Sequence, residues 1–406
     1  ELDLIYSDED KLTDQGFESP ILKPDWSPDF FLSCNYLCHM IFLRRDLMRE
    51  VGGFQSEFDG SQDYDLLLRI SERTERIHHI PRVLYHWRRS ENSSASDVRQ
   101  KPGQLEASWR AIEAHLKRRG EKAHVAVDWR THAFYVRRDL REVKKISVII
   151  PSSLGSSSLE RCLESLVSRT SYPNYEIVIV QIGQRDKIAE AATNFSHRVL
   201  HFADAVNDSA AKNYAVAQTD GPWLLFLDDN VEAIVPDWLT IMAEYVQRPE
   251  TGAVGPRLIN PDDTIEHAGF VLGVNGIAQS AFRGFPAEHP GVNRQLQMTR
   301  NYSAVSGACL LVRREVFQQI RGFDEQLSGA LADVDLCLKM RDAGYLIVYT
   351  PLAKLCWDPS PPKGVDASAE VIMRQRWSDV LDRDPYYNPN LSSERADFSL
   401  DEARSS

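Results

Sequence analysis

No apolar run in this 406-residue chain approaches the roughly 20 residues needed to cross a bilayer. The longest, Ile146–Pro151, Ile177–Val180 and Leu224–Leu227, have the length of buried strands. Basic charge is scarce: 47 Lys and Arg stand against 59 Asp and Glu, a net charge of −12. Bulk nucleic-acid binding needs a basic footprint, so nucleic acid is set aside as a partner. A phosphorylated ligand is not, because a metal or a few local cations can neutralise it. Cysteine is sparse and scattered; Cys34-x3-Cys38-His39 is the one cluster, and it has no second Cys/His pair at zinc-finger spacing. The six cysteines read as buried free thiols of a reducing compartment. A phosphate loop is missing too. Ser152-Ser153-Leu154-Gly155-Ser156 carries no Lys or Arg to hold a triphosphate, which argues against nucleotidyl transfer.

What is present is a repeat. Gly53-Phe54 followed by Gln62-Asp63-Tyr64-Asp65-Leu66 returns as Gly322-Phe323-Asp324-Glu325 followed by Ala332-Asp333-Val334-Asp335-Leu336. Arg44-Arg45-Asp46-Leu47 and Arg313-Arg314-Glu315-Val316 precede the two copies; Pro81 and Pro351 follow at equal distances. A long-period repeat means two copies of one structural unit. The opening residues, Glu1-Leu2-Asp3-Leu4-Ile5-Tyr6, already read as a strand, so the chain is expected to be the downstream part of a longer protein.

From Lys144 strands and helices alternate. Strands are predicted at 146–151, 175–180, 199–202, 223–227 and 252–256, and helices at 157–169, 208–218 and 236–245. Short, wholly apolar strands belong to parallel sheets covered on both faces. The pattern predicts an α/β, doubly wound, mostly parallel Rossmann-like sheet with its ligand at the carboxyl ends of the strands. Residues 1–98 match only the later half of this plan. Residues 99–143 read as a helical, basic connector, 144–391 as a complete unit, and 392–406 as a polar, mobile tail. The stretch 117–145 holds ten Lys/Arg against four Asp/Glu. It reads either as a solvated helix face or as a peripheral contact with an anionic membrane surface.

Asp228-Asp229-Asn230 follows an apolar strand, where adjacent carboxylates suit Mg or Mn shared with a diphosphate, or simply cap a turn. Asp333 and Asp335 point different ways. Asp335 reads as a carboxylate near a helix N-terminus, and Asp333, before the helix, as a base for an acceptor hydroxyl.

These motifs resemble family 2 glycosyltransferases of the GT-A fold. The likeness rests on Ile149-Ile150-Pro151, Thr170 to Ile177, Leu225-Phe226-Leu227-Asp228-Asp229, Glu266-His267-Ala268-Gly269, Ser306-Gly307-Ala308-Cys309, the repeated acidic segment, and Asp384-Pro385-Tyr386-Tyr387-Asn388-Pro389-Asn390. It is nearest to bacterial O-antigen and surface-polysaccharide enzymes of rhamnosyltransferase type. Lys23-Pro24-Asp25-Trp26-Ser27-Pro28, Gly60 to Asp65 and Tyr85-His86-Trp87-Arg88 make the first copy resemble a second, truncated module in tandem.

The resemblance implies inverting transfer from a nucleoside-diphosphate sugar to a lipid-linked or polymeric glycan, in the cytoplasm at the inner face of the membrane. Asp228, Asp229 and Asn230 would hold a divalent metal, Mg or Mn. Pro151, Ser152, Ser153, Gln181, Lys212 and Asn213 would lie on the nucleotide side, with Lys212 either reaching a phosphate or sitting on the surface. Asp333 would be the base. Gly307, His267 and Trp357 would face the acceptor, the last two being otherwise a satisfied histidine and a packed aromatic. In the first copy Asp63 and His86 match the base and a metal-ligand histidine. Asp8-Glu9-Asp10 looks like a metal motif but aligns with the strand at 252–256, after the metal strand. The second copy departs from the pattern at Asn230, at Cys356 (where the first has His86), and at Val180-Gln181-Ile182-Gly183, which lacks the family's acid. Those departures motivate the alternative of a degenerate module that binds sugar nucleotide or glycan and scaffolds an active partner.

Overall fold

The computed structural model describes residues 1–88, 102–152, 157–183, 195–203, 207–359 and 367–401. The first unit comprises β1 (Leu4–Thr13), β2 (Gly16–Ile21), α1 (Pro28–Ser33), β3 (Ile41–Leu43), α2 (Arg45–Glu50), α3 (Gln62–Ser71) and β4 (Ile77–Arg88). In its sheet β1 is flanked by β2 and β3, both antiparallel, and pairs with β4 in parallel. The connector is α4 (Pro102–Arg118) and a hairpin, β5 (Ala123–Asp128) with β6 (Ala133–Arg138). The helix was legible in the sequence. The hairpin was not, because its Lys and Arg residues obscured the alternation.

The second unit runs β7 (Ile146–Ser152), α5 (Ser157–Ser168), β8 (Tyr175–Ile182), β9 (Arg198–Phe202), α6 (Asp208–Ala217), β10 (Trp223–Leu227), β11 (Val231–Ala233), α7 (Trp238–Val246) and β12 (Thr251–Ile259). There follow β13 (Ile265–His267), β14 (Phe270–Leu272), β15 (Ala278–Ser280), β16 (Arg300–Asn301), β17 (Cys309–Arg313), α8 (Arg314–Gln319), α9 (Gly329–Asp342), β18 (Leu346–Trp357) and α10 (Ala367–Asp382). The main path through the sheet is β11-β18-β12-β17-β10-β7-β8-β9. Neighbours are parallel on the β9–β8–β7–β10 side and between β12 and β18; β17 enters antiparallel between β10 and β12. Every residue of β7 and β10 is buried, the result of covering both faces.

The first unit corresponds to the later strands of the second. β1 pairs with β4 as β12 pairs with β18, and the register sets His86 opposite Asp10 where Cys356 lies opposite Ile259. Asp8-Glu9-Asp10 therefore sits on the counterpart of β12, as the sequence alignment required. Its carboxylates are taken up internally. Asp8 accepts from Lys23 N and Asn388 and meets His79, Glu9 pairs with Lys23, and Asp10 meets His86.

The units are locked together by buried polar groups. Arg248 forms a two-pronged ion pair with Asp29, at 2.8 and 3.0 Å. The Asn301 amide donates to Asp29 and accepts from Ser27 Oγ. The Arg300 guanidinium lies over the rings of Phe30, Tyr302 and Phe398. Asn388, in the Asp-Pro-Tyr-Tyr-Asn-Pro-Asn motif, reaches Asp8 and Lys23 O across the same boundary. The tail needs correction: Phe398 is buried against Phe282, and Leu391 bridges Leu400, so 392–401 is packed chain.

The basic stretch is largely neutralised within the molecule. Arg118 pairs with Glu72, Arg119 and Arg138 with Glu121, Arg130 with Glu288, Arg137 with Glu244, and Lys145 with Glu176 and Asp220. All six cysteines are free. No helix among the described residues is long and apolar enough to cross a membrane.

Candidate active site

The carboxyl ends of β7 and β10, the loop before β17 and the first turns of α9 converge. The fully apolar β10 must stop where Asp228 and Asp229 begin, because two carboxylates cannot follow it into the core. Ser152, at the end of β7, donates Oγ to Asp229 Oδ2 at 2.7 Å. Asp228 N donates to Ala308 O at 2.9 Å, tying the acidic turn to the loop 302–308.

Asp333 lies inside α9, on its fifth residue, rather than before it; the helix begins at Gly329. Its Oδ2 accepts from Gly307 N at 2.8 Å. A Cβ on Gly307 would lie 2.1 Å from Asp333 Oδ1, so glycine is what permits the approach. Asp333 Oδ1 is buried without a hydrogen-bond partner, which is costly unless a ligand completes it. Asp335 does not cap the helix: it takes Lys339 one turn on, Arg376 and the Trp377 indole. Asp65 likewise pairs with Arg69 one turn on. The second aspartate of each pair is thus structural, as its separate direction suggested.

Lys212 is buried rather than on the surface. It pairs with Asp208 at 2.9 Å and lies over the Phe323 ring. Burial alone would lower its ammonium, yet Asp208, Asp333 and Asp228 hold it above its ordinary value. Burial pushes Asp228 up to about 7, against Lys212 and with help from Asp208, Asp333 and Asp229. Burial also raises Asp229 and Asp333; Ser152 opposes it in the first, Lys212 and the Gly307 amide in the second. Three carboxylates, Asp208, Asp228 and Asp333, act on one lysine, Asp229 adds to the charge at Asp228, and their donors are hard oxygens. Hard oxygen donors are the class that Mg or Mn takes, and Asp228 and Asp229 are the residues that would hold such an ion.

Other expected site residues are placed differently. Asn213 clamps the Gly322-Phe323 turn, accepting from Phe323 N and donating to Phe323 O and Glu325. Asn230 accepts from the Trp357 indole with its oxygen and donates its nitrogen to Asp358 O, which ties Trp357 to the acidic turn. His267 is buried, bonded on both ring nitrogens. Pro151 and Gln181 lie buried at the ends of β7 and β8, with Ser152 and Gln181 in register; Ser153 lies outside the described residues. In the first copy Asp63 accepts from the Cys38 thiol at 3.1 Å, and His86 meets Asp10 at 2.6 Å. Cys38, His39 and Asp63 offer donor atoms within 4.8 Å of one another. Burial and the Asp63 carboxylate push the Cys38 thiol up, which keeps it a hydrogen-bond donor. Asp208 was missed as a site group, though its spacing to Lys212, one helical turn, was the available signal, and Gly307, expected on the acceptor side, holds Asp333 through its amide.

A parallel four-strand half ending on an acidic turn is extended by an antiparallel strand and by the helix that carries Asp333. Residues 147–321 match the model described as glycosyl transferase family 2, and this segment is a family 2 glycosyltransferase domain. The chain is 39% identical to an uncharacterised protein of Sinorhizobium fredii, over 99% of this chain and 46% of that one. It is 36% identical to the O-antigen biosynthesis protein RfbC of Myxococcus xanthus, over 98% of this chain and 32% of that one. It is 29% identical to the N-acetylglucosaminyl-diphospho-decaprenol L-rhamnosyltransferase of Mycobacterium tuberculosis, over 54% of this chain and 77% of that protein. The chain thus spans less than half the length of the first two relatives.

Proposed function

We propose that the second unit transfers a sugar, with inversion, from a nucleoside diphosphate to a growing bacterial surface glycan. The carrying observation is that the acidic turn Asp228-Asp229 is tied to the 302–308 loop, whose Gly307 amide holds Asp333 with one oxygen buried and open, beside the buried Lys212. Asp228 and Asp229 would hold the divalent metal, which when bound offsets charge on the departing diphosphate. Asp333 would take the proton of the acceptor hydroxyl, its raised basicity suiting that task. Lys212 would balance the carboxylates from beneath rather than reach a phosphate. The relatives named for O-antigen biosynthesis and for rhamnosyl transfer to a decaprenol-linked sugar support a lipid-linked or polymeric acceptor, and work at the inner membrane face. Six of the ten basic residues at 117–145 are already ion-paired, which favours the solvated-face reading over a membrane patch. In this reading the chain is tandem: a first unit holding Asp63 and His86 but no nucleotide half, joined to a complete second one.

A degenerate, scaffolding module is the second reading. It is favoured by Cys356 standing in register where the first unit has His86, and by Asn230 being occupied. Calorimetric titration of the whole chain with UDP, dTDP and GDP, with and without Mn, separates the two. Metal-dependent binding of one nucleotide, lost in Asp228→Ala/Asp229→Ala, is expected. Absence of binding by all three would hand the case to the scaffold.

A further inference from the structure

The Glu266-His267-Ala268-Gly269 motif has no part in the site as described so far, yet it ends on the site's edge. His267 closes β13 and is 1% exposed. Its Nε2 lies 3.0 Å from Ser306 N and its Nδ1 2.9 Å from Ser280 Oγ on β15. A backbone amide can only donate, so Nε2 presents a lone pair. The ring proton is then on Nδ1, donated to Ser280. Burial lowers the imidazole to about 3, so it stays neutral wherever an enzyme works, and the edge of the ring packs on Phe270.

The next amide along the chain, Gly307 N, is the one that holds Asp333. Two consecutive N–H groups thus have different partners, one a fixed imidazole and one Asp333. Ser306 Oγ accepts from Ala308 N, which closes the turn between them. At the other end of the motif, a Cβ on Gly269 would lie 2.4 Å from the Tyr302 ring, so the 266–269 segment and the start of the loop are in tight contact. Two motifs far apart in sequence therefore form one support.

We propose that His267 is a positioning residue for sugar transfer, fixing through the Ser306 amide the loop whose Gly307 amide orients Asp333. The proposal rests on the reading of Asp333 as the base. It concerns the reacting hydroxyl's partner and not donor binding, because neither ring nitrogen is left free to meet a ligand.

The test uses the whole chain and two variants. His267→Gln can put Oε1 near the place of Nε2 and still accept from Ser306. His267→Asn reaches only as far as Nδ1 and leaves that amide unpaired. In His267→Asn, hydrogen exchange at the Ser306 and Gly307 amides should quicken at least tenfold relative to the β7 and β10 amides. Turnover of UDP-, dTDP- or GDP-sugars should fall about 10²-fold in kcat, the scale for a misplaced reacting group. The donor KM and Mn-dependent nucleotide affinity should stay within about twofold, as an effect confined to orientation requires. His267→Gln should recover most of kcat. Unchanged exchange at both amides, or nucleotide affinity falling in step with kcat, overturns the proposal. Wild-type kcat in His267→Asn beside an inactive Asp333→Asn overturns it alone. Wild-type kcat in Asp333→Asn removes the base assignment and this proposal together.

Discussion

Phe54 and Phe323 occupy the same place in the two copies of one motif, yet the first is 60% exposed and the second 3%. Phe323 packs against Phe226 of β10 and Phe317 of α8, and Asn213 of α6 clamps its backbone. Among the described residues Phe54 meets no such strand or helix. The same holds for the neighbouring strand. β17 is paired on both edges, and Leu310, Leu311 and Val312 are wholly buried; β3 pairs with β1 alone in the described sheet, and Phe42 is 58% exposed. Identical local signals thus end in opposite environments. A Gly-Phe turn and an acidic helix start are set by nearby sequence, but their burial depends on the half-unit that supplies β10 and α6.

The sharpest way to break this comparison is to neutralise the first aspartate of each copy's acidic pair. Asp333→Asn should lower sugar transfer by about 10²–10⁴-fold, the range for a positioned general base. Asp63→Asn should leave transfer by this chain unchanged, because among the described residues no counterpart of the Asp228-Asp229 turn lies beside Asp63, which already accepts from Cys38. Equal losses in a steady-state assay would show that the first copy contributes to the reaction.

Stability gives the next contrast. Phe323→Ala removes a core aromatic and should cost about 3–5 kcal/mol. Phe54→Ala, at an exposed site, should stay within about 0.5 kcal/mol. Urea unfolding of both variants reads the difference directly. Comparable losses would mean that Phe54 is covered in solution.

The third effect is pH-dependent and lies in the connector that joins the copies. Burial raises the Glu121 carboxyl, but Arg138 and Arg119 prevail and hold it at about 2, below its ordinary 4.5. A depressed carboxyl contributes stability that is complete above pH 4.5 and is lost as pH falls through about 2. At roughly 1.4 kcal/mol per unit the contribution is about 3 kcal/mol. Glu121→Gln should flatten the fall in stability between pH 4.5 and 2, measured by denaturant titration at each pH. An unaltered slope would place the acid sensitivity elsewhere.

Much of the fold was legible. The strand Trp223–Leu227 was bounded residue for residue, because five apolar residues ending at two aspartates have one way to lie in a sheet. The repeat correctly placed Asp8-Glu9-Asp10 on the counterpart of β12 and set His86 in the place of Cys356. Less of the site was legible. Asn213 was expected beside a nucleotide and serves instead as a clamp on the Gly-Phe turn, a contact 110 residues away in sequence. Asn230, expected on a metal, holds Trp357 and Asp358. Lys212 was expected on the surface or a phosphate and is sunk among carboxylates, since α6 turns that face inward. The hairpin at 123–138 and the packed segment 392–401 were hidden by their polar composition.

By itself the sequence determined the alternation of strands and helices, the two-copy plan, and the positions of the aspartates at the strand end and in the repeated helix. All three follow from short-range rules: apolar period, turn residues, and the refusal of carboxylates to follow a strand into the core. Only the tertiary structure decided which copy buries its Phe, which amide holds Asp333, and that His267 faces a loop rather than a ligand. Those outcomes depend on contacts between segments tens to hundreds of residues apart. They are fixed by packing and by the need to pair every buried polar group, and neither leaves a local pattern to read.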